Sequence, residues 1–227
     1  MAKKKESTLI NMLVALFVIT AVAGGVLGLV YGMTKDAIAE VDQKKNEAAI
    51  KAVLPLEDVT YQADTLHYNF EGVDTDFPCT LAFDGNGNFQ GAAVKTSEGG
   101  FGGKIDIMVG FLADGTIKGT SVLSHSETPG LGANMTGKFK DQFVDKNPGN
   151  GFILEVTKSH EPQKVDAITA ATITSRAFTK AIDKAYQAFM ANKAQFMNNA
   201  PVVVETPVVE ETPVEENNET EGGQDNE

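Results

Sequence analysis

Hydrophobic and polar positions change rhythm several times along this chain, and each rhythm predicts a different element. Between Glu6 and Lys35 there is no charged residue, and 9–33 is apolar apart from Asn11 and Thr20. About 20 residues at 1.5 Å rise cross the hydrocarbon core of a bilayer, so this run predicts a transmembrane helix over 9–33 behind a short N-terminus, 1–8. A secretory signal peptide is the rival reading. Lys3, Lys4 and Lys5 would supply its basic region, and Ala21-Val22-Ala23 its small-residue cleavage site. The apolar run continues past that site through Val26-Leu27-Gly28-Leu29-Val30, which favours an uncleaved anchor. Gly24, Gly28 and Gly32 recur every fourth residue and would admit a second membrane helix, although glycine is common in such helices anyway.

A helical rhythm follows. Ala37, Ile38, Val41, Ala48, Ala49, Ile50, Val53 and Leu54 predict a helix over 34–54, ended by Pro55, so that 34–55 connects the anchor to a domain over 56–199. The domain opens with short extended pieces. "CTLAF" and "FQGAAVK" flank "DGNGN", a hairpin signal because Asp-Gly and Asn-Gly accept positive φ. "KIDIMVGFL" alternates Ile105, Ile107, Val109 and Phe111 on one face, and Asp114-Gly115 turns the chain into "TIKGTSVLSH". These predict an antiparallel sheet of four or more strands. A short helix over 135–144, a strand at "GFILEV", and a closing helix with Phe178, Ala181, Ile182, Ala185 and Phe189 on one face complete an α+β domain.

The last rhythm is none at all. "VVVETPVVEETPVEE" repeats Pro, Val, Thr and Glu without apolar periodicity, which predicts a disordered acidic tail over 200–227. That tail changes the reading of charge. It holds nine acids and no Lys or Arg, so it carries nine of the twelve net negative charges. The rest is nearly balanced, and no basic patch supports a nucleic-acid role. The single cysteine, Cys79, excludes an internal disulfide and reads as a buried, inert thiol. His67, His125 and His160 are scattered without carboxylate or Cys partners at ligand spacing, so no metal site is expected. Lys3–Lys5 before the span and Lys35, Lys44 and Lys45 after it nearly balance. A short N-terminus stays cytoplasmic while a long domain crosses, which places 56–199 outside the cytoplasm.

Three stretches carry candidate chemistry. The glycine run "SEGGFGGK" fails as a phosphate loop, because Glu98 stands where the first glycine belongs and Ile105 where Ser or Thr is required. It reads as a flexible loop entering a strand, with a backbone approach to a ligand open to it. "HSETPGLG" builds a turn from Pro129, Gly130 and Gly132 with Glu127 and Thr128 at its entrance, either a binding loop or a plain connection. "DAITAATITS" sets Thr169, Thr172, Thr174 and Ser175 among small residues at a helix entrance. Those hydroxyls either cap the helix or offer an attachment point for a phosphate, which a helix N-terminus would welcome.

"GGFGGKIDIMVGF", "HSETPGLGA" and "DAITAATITS", in this order behind one N-terminal anchor, resemble the FMN-binding G subunit of the Rnf ion-translocating electron-transport complex. The C subunit of the sodium-pumping NADH:quinone reductase shares the domain and is the nearest alternative. The resemblance covers roughly 9–195. Its flavinylation signal falls on Asp166, Thr169, Ala170, Ala171 and Thr172, with Ala170 where the family usually has Gly, a methyl added at a crowded turn. The resemblance implies an FMN joined through its phosphate to Thr172, added after export by a flavin transferase that uses FAD. Asp166, Thr169 and Ala171 belong to that signal, and Glu127, Thr128, Gly130, Leu131 and Gly132 would lie near the flavin ring. It further implies a membrane complex that couples electron flow between ferredoxin and NAD to ion movement, with other membrane subunits as partners. A membrane-tethered, non-redox binding module is the alternative of another class.

Overall fold

The computed structural model describes residues 9–149, 152–155 and 164–198. The expected short N-terminus over 1–8, the expected tail over 200–227, His160 and both ends of "GFILEV" lie outside the described residues. Helix α1 runs Leu9–Val53 without a break, so the apolar run and the following helical rhythm form one rod about 68 Å long. The large apolar side chains from Leu9 to Met33 are exposed, covered by no other part of the described chain. Among the described residues α1 is the one helix long and apolar enough to cross a membrane.

Five strands follow, β1 (Val59–Phe70), β2 (Val73–Asp84), β3 (Phe89–Gly99), β4 (Lys104–Leu112) and β5 (Ile117–Ser124). They form an antiparallel meander in sequence order. Sequence periodicity anticipates β2 to β5. The long β1–β2 hairpin is new, and its two-residue turn is Glu71-Gly72, both at positive φ (53° and 86°). Between β2 and β3 the "DGNGN" turn forms as expected. Asp84 Oδ1 accepts the N–H groups of Asn86 and Asn88 at 2.9 and 2.8 Å, and Gly87 takes φ 81°.

Alternation puts two different cores on the sheet's two faces. The inner face presents Phe77, Cys79, Leu81 and Phe83 from β2, Ala92 and Val94 from β3, and Ile105, Ile107, Val109 and Phe111 from β4. Helix α3 (Thr172–Asn198) lies across it with Phe178, Ala181, Ile182, Ala185 and Phe189 fully buried. Each such large side chain contributes roughly 1.5–3 kcal/mol by leaving water, and Phe111 and Phe189 stack at 5.2 Å. The outer face holds a smaller cluster, Ala82, Ala93 and Met108, under Ala49, Val53 and Leu54 at the end of α1. There Gly110 of β4 pairs with Gly119 of β5. A Cβ on Gly110 would strike the Val53 carbonyl, and one on Gly119 would lie 2.8 Å from Val53 Cα. The paired glycines form a notch that receives the last turn of α1.

The helix predicted over 135–144 is instead a 3-10 turn, Gly132–Thr136, and one α-turn, α2 (Lys138–Asp141). Gly137, at φ −95° and ψ −138°, breaks them apart. Phe139 and Phe143 nevertheless reach the core, where both meet Phe178 at 5.4 Å. A small parallel pair, β6 (Ile153–Glu155) with β7 (Lys164–Asp166), leads into α3. The five-stranded antiparallel sheet with helices on its two faces, and the small parallel pair beside it, make an α+β domain. Cys79 is buried, and burial, with the nearby Asp64 charge, pushes its thiol up to about 12, so it stays an inert thiol. His67, read as partnerless, in fact has Asp76 Oδ1 2.7 Å from its Nδ1 on the exposed β1–β2 hairpin.

Candidate functional site

A cleft of about 400 Å³ opens where three loops meet the start of α3, walled by Phe101, Glu127, Thr128, Leu131 and Gly132 on one side. The stretch Ala170–Thr174 forms the other side. That volume is within the range of cofactor sites. Phe101 is 71% exposed, and Leu131 and Ile173 also stand open to solvent at the cleft. Apolar side chains left uncovered around a concavity are suited to a flat ring.

The helix entrance has unusual hydrogen bonding. Ser175 N–H donates to the Ala171 carbonyl at 3.0 Å, so α3 begins at Thr172 and Ala171 sits at the capping position. Alanine has no oxygen with which to cap. Two of the nearby hydroxyls are committed elsewhere. Ser175 Oγ donates to the Ala171 carbonyl and accepts the Ile168 N–H, and Thr174 Oγ1 donates to Glu127 Oε2 at 2.8 Å. Thr169 is exposed and makes no side-chain hydrogen bond among the described residues. Likewise, no acceptor among the described residues meets the N–H groups of Thr172, Ile173 or Thr174. Thr172 itself is exposed at the first position of the helix. Three free donors at the positive end of a helix dipole, beside an accessible hydroxyl, make a place suited to an anion such as a phosphate.

Ala170 takes φ 61°. The methyl expected to crowd this turn is exposed, so the departure from glycine acts through the backbone instead. A left-handed alanine costs about 1–2 kcal/mol that glycine would not.

Glu127 is 5% exposed, and its carboxylate faces inward. Oε1 accepts the Gly102 N–H at 3.0 Å and Oε2 accepts the Thr174 hydroxyl. Its own N–H donates to His125 Nδ1 at 3.2 Å. The backbone approach anticipated for the glycine run is therefore made to Glu127 and Ser126. A Cβ on Gly100 would strike Glu127 Oε1, one on Gly102 the Ser126 carbonyl, and one on Gly132 Glu127 Oε2.

Of the residues expected at the site, Thr172, Ala171, Glu127, Thr128, Leu131 and Gly132 meet in the cleft. Gly130 does not line it. It shapes the turn at φ 78° and gives its carbonyl to Asn134 Nδ2 at 2.9 Å. Asp166 ends β7 away from the cleft, its backbone held by Gln142 in both directions at 2.9 and 3.2 Å. It lies in a separate shallow hollow with Asn134, Lys138 and Gln142. Lys146 is held below its ordinary value by burial, which the Asp166 charge partly offsets. Sequence reasoning missed Phe101 and Ile173, and it placed Thr174 in the first turn of the helix without its partner Glu127. Phe101 had a signal, a lone large aromatic between two glycine pairs.

Residues 100–187 match the family described as FMN-binding domain. The G subunit of the Na(+)-translocating ferredoxin:NAD(+) oxidoreductase complex of Acetobacterium woodii is 32% identical over 187 residues, covering 77% of this chain and 88% of that one. The G subunit of an ion-translocating oxidoreductase complex from Methanosarcina acetivorans is 34% identical over 191 residues, covering 82% and 95%. Among solved structures, the C subunit of the Na(+)-translocating NADH-quinone reductase from Parabacteroides distasonis superposes with a TM-score of 0.50 at 17% identity, over 70% of this chain and 96% of that one. This last likeness is one of fold.

Proposed function

The chain belongs to the family of G subunits of ion-translocating oxidoreductase complexes, and on that premise we propose that it carries one FMN bonded through phosphate to Thr172 Oγ1. It serves as an electron relay in a membrane complex of the ferredoxin:NAD type. The observation that carries the attachment reading is the helix entrance. Its first-turn N–H groups lack acceptors and Ala171 holds the capping place, while Thr172 stands exposed beside an apolar cleft. If the threonines served only to cap, one of them would meet those N–H groups. Instead Thr174 is turned to Glu127.

Bound FMN supplies the electron-transfer chemistry. The chain's own residues hold and orient it. The N–H groups of Thr172, Ile173 and Thr174 would donate hydrogen bonds to the phosphate, and Phe101, Leu131 and Ile173 would shield the ring from water. Thr128, on the cleft wall, would offer its hydroxyl to the ring's polar edge. Attachment would form an ester between Thr172 Oγ1 and the FMN phosphorus of FAD, with AMP as the leaving group and the hydroxyl proton passing to a base of the transferase. Asp166 stands apart from the cleft, so a place in transferase recognition suits it better than contact with the phosphate. A span in α1 anchors the chain once, with the domain on the extracytoplasmic face. After co-expression with a flavin transferase, acid-precipitated protein keeps its yellow colour. A colourless precipitate would return the cleft to reversible binding or to a non-redox module.

A further inference from the structure

We propose that Glu127 is a positioning residue, an internal latch that holds the Gly99–Gly103 loop and the first turn of α3 together as the walls of the cleft. The inference rests on the FMN reading above and adds what keeps the ring's seat in shape. Among the described residues, no other hydrogen bond joins the two walls. The loop has one internal tie, the Gly100 N–H to the Gly103 carbonyl at 2.8 Å, and it carries the exposed Phe101. Across the cleft stands Thr174 on α3. Glu127 reaches both, with Gly102 N–H on Oε1 and Thr174 hydroxyl on Oε2.

A carboxyl group suits this place because it offers two oxygens to two donors from different elements. The surrounding glycines follow from it. Gly100 and Gly132 have no Cβ because the Glu127 oxygens occupy that space. Both carboxyl oxygens are engaged within the protein and the residue is 5% exposed. Glu127 therefore acts on the flavin through Phe101 and Thr174. Loss of the latch frees the Phe101 loop and leaves Thr172 and its ester in place. The phosphate stays bonded while the ring loses its seat.

The test uses full-length protein co-expressed with the transferase, comparing wild type with Glu127→Ala, Glu127→Gln and Thr174→Val. Covalent FMN is measured by intact mass, and ring mobility by flavin fluorescence intensity and polarisation. Glu127→Ala keeps the FMN mass but gains fluorescence and loses polarisation. Glu127→Gln still spans both contacts, its carbonyl on Gly102 N–H and its amide toward the Thr174 oxygen, and it reads as wild type. Should Glu127→Ala fail to fold, Thr174→Val, of nearly the same shape as threonine, carries the test and shows the same loss of polarisation. Wild-type polarisation in the Ala or Val variant overturns the latch, and a Gln variant that behaves like Ala overturns its geometric basis. Absence of FMN from Thr172 in the wild type overturns the attachment reading instead, so the two failures are distinct.

Discussion

At the residue scale, environment decides what each functional group does. Among the four hydroxyls of "DAITAATITS", Thr174 and Ser175 are buried and engaged, while Thr169 and Thr172 are exposed. Of the two, Thr172 alone lies on the cleft wall. Asp183 of α3 shows the converse, an ionisable group placed against its chemistry. Burial pushes its carboxyl up to about 6 from 3.8, and its Oδ1 is buried without a hydrogen-bond partner. Folding therefore favours the protonated acid. That contribution is whole below the unfolded value and is lost as pH rises through the folded one, between about pH 4 and 6. Asp183→Asn removes the penalty, so the variant is more stable than wild type at neutral pH, on the order of 1–2 kcal/mol after screening. The advantage fades near pH 4. Thermal midpoints across that range check it, and an advantage that does not vary with pH would remove ionisation as its cause.

At the scale of elements, legibility followed the strength of local signals. β4 and α3 were readable because alternation at Ile105, Ile107, Val109 and Phe111, and helical spacing from Phe178 to Phe189, report the faces that the core buries. The β1–β2 hairpin was not, because Glu71 is no turn residue and β1 is exposed along most of its length, so alternation is faint. The site was half legible. Motifs located Thr172 and the "HSETPGLG" loop, but the Glu127 bonds to Gly102 and Thr174 span 25 and 47 residues, beyond any local pattern. The notch for α1 was hidden for the same reason, since Gly110 and Gly119 read as ordinary strand glycines. Gly110→Val forces the last turn of α1 off the sheet and costs roughly 1–3 kcal/mol of stability. The detergent-solubilised protein then melts at a lower temperature while keeping its flavin, because α1 and the cleft lie on opposite sides of the sheet. An unchanged midpoint would show that the docking contributes nothing.

At the scale of the whole molecule, one rod ends in a notch on the outer face of the sheet, and the cleft opens at the start of the helix that covers the inner face. A membrane-spanning α1 would thus hold the cleft in a defined relation to the bilayer, a geometry suited to passing electrons between fixed neighbours. The proposed side of the domain is checked by adding protease to intact spheroplasts. The domain is degraded if it lies outside and protected if it lies inside. The central claim, that FMN sits on Thr172, is tested most directly by peptide mass mapping after co-expression with the transferase. Wild type yields the peptide containing Thr172 heavier by FMN less one water. Thr172→Ala yields no adduct, yet folds with a stability change within about 0.5 kcal/mol, because Thr172 is exposed and caps nothing. An adduct mapped to another residue, or flavin retained covalently by Thr172→Ala, would contradict the account.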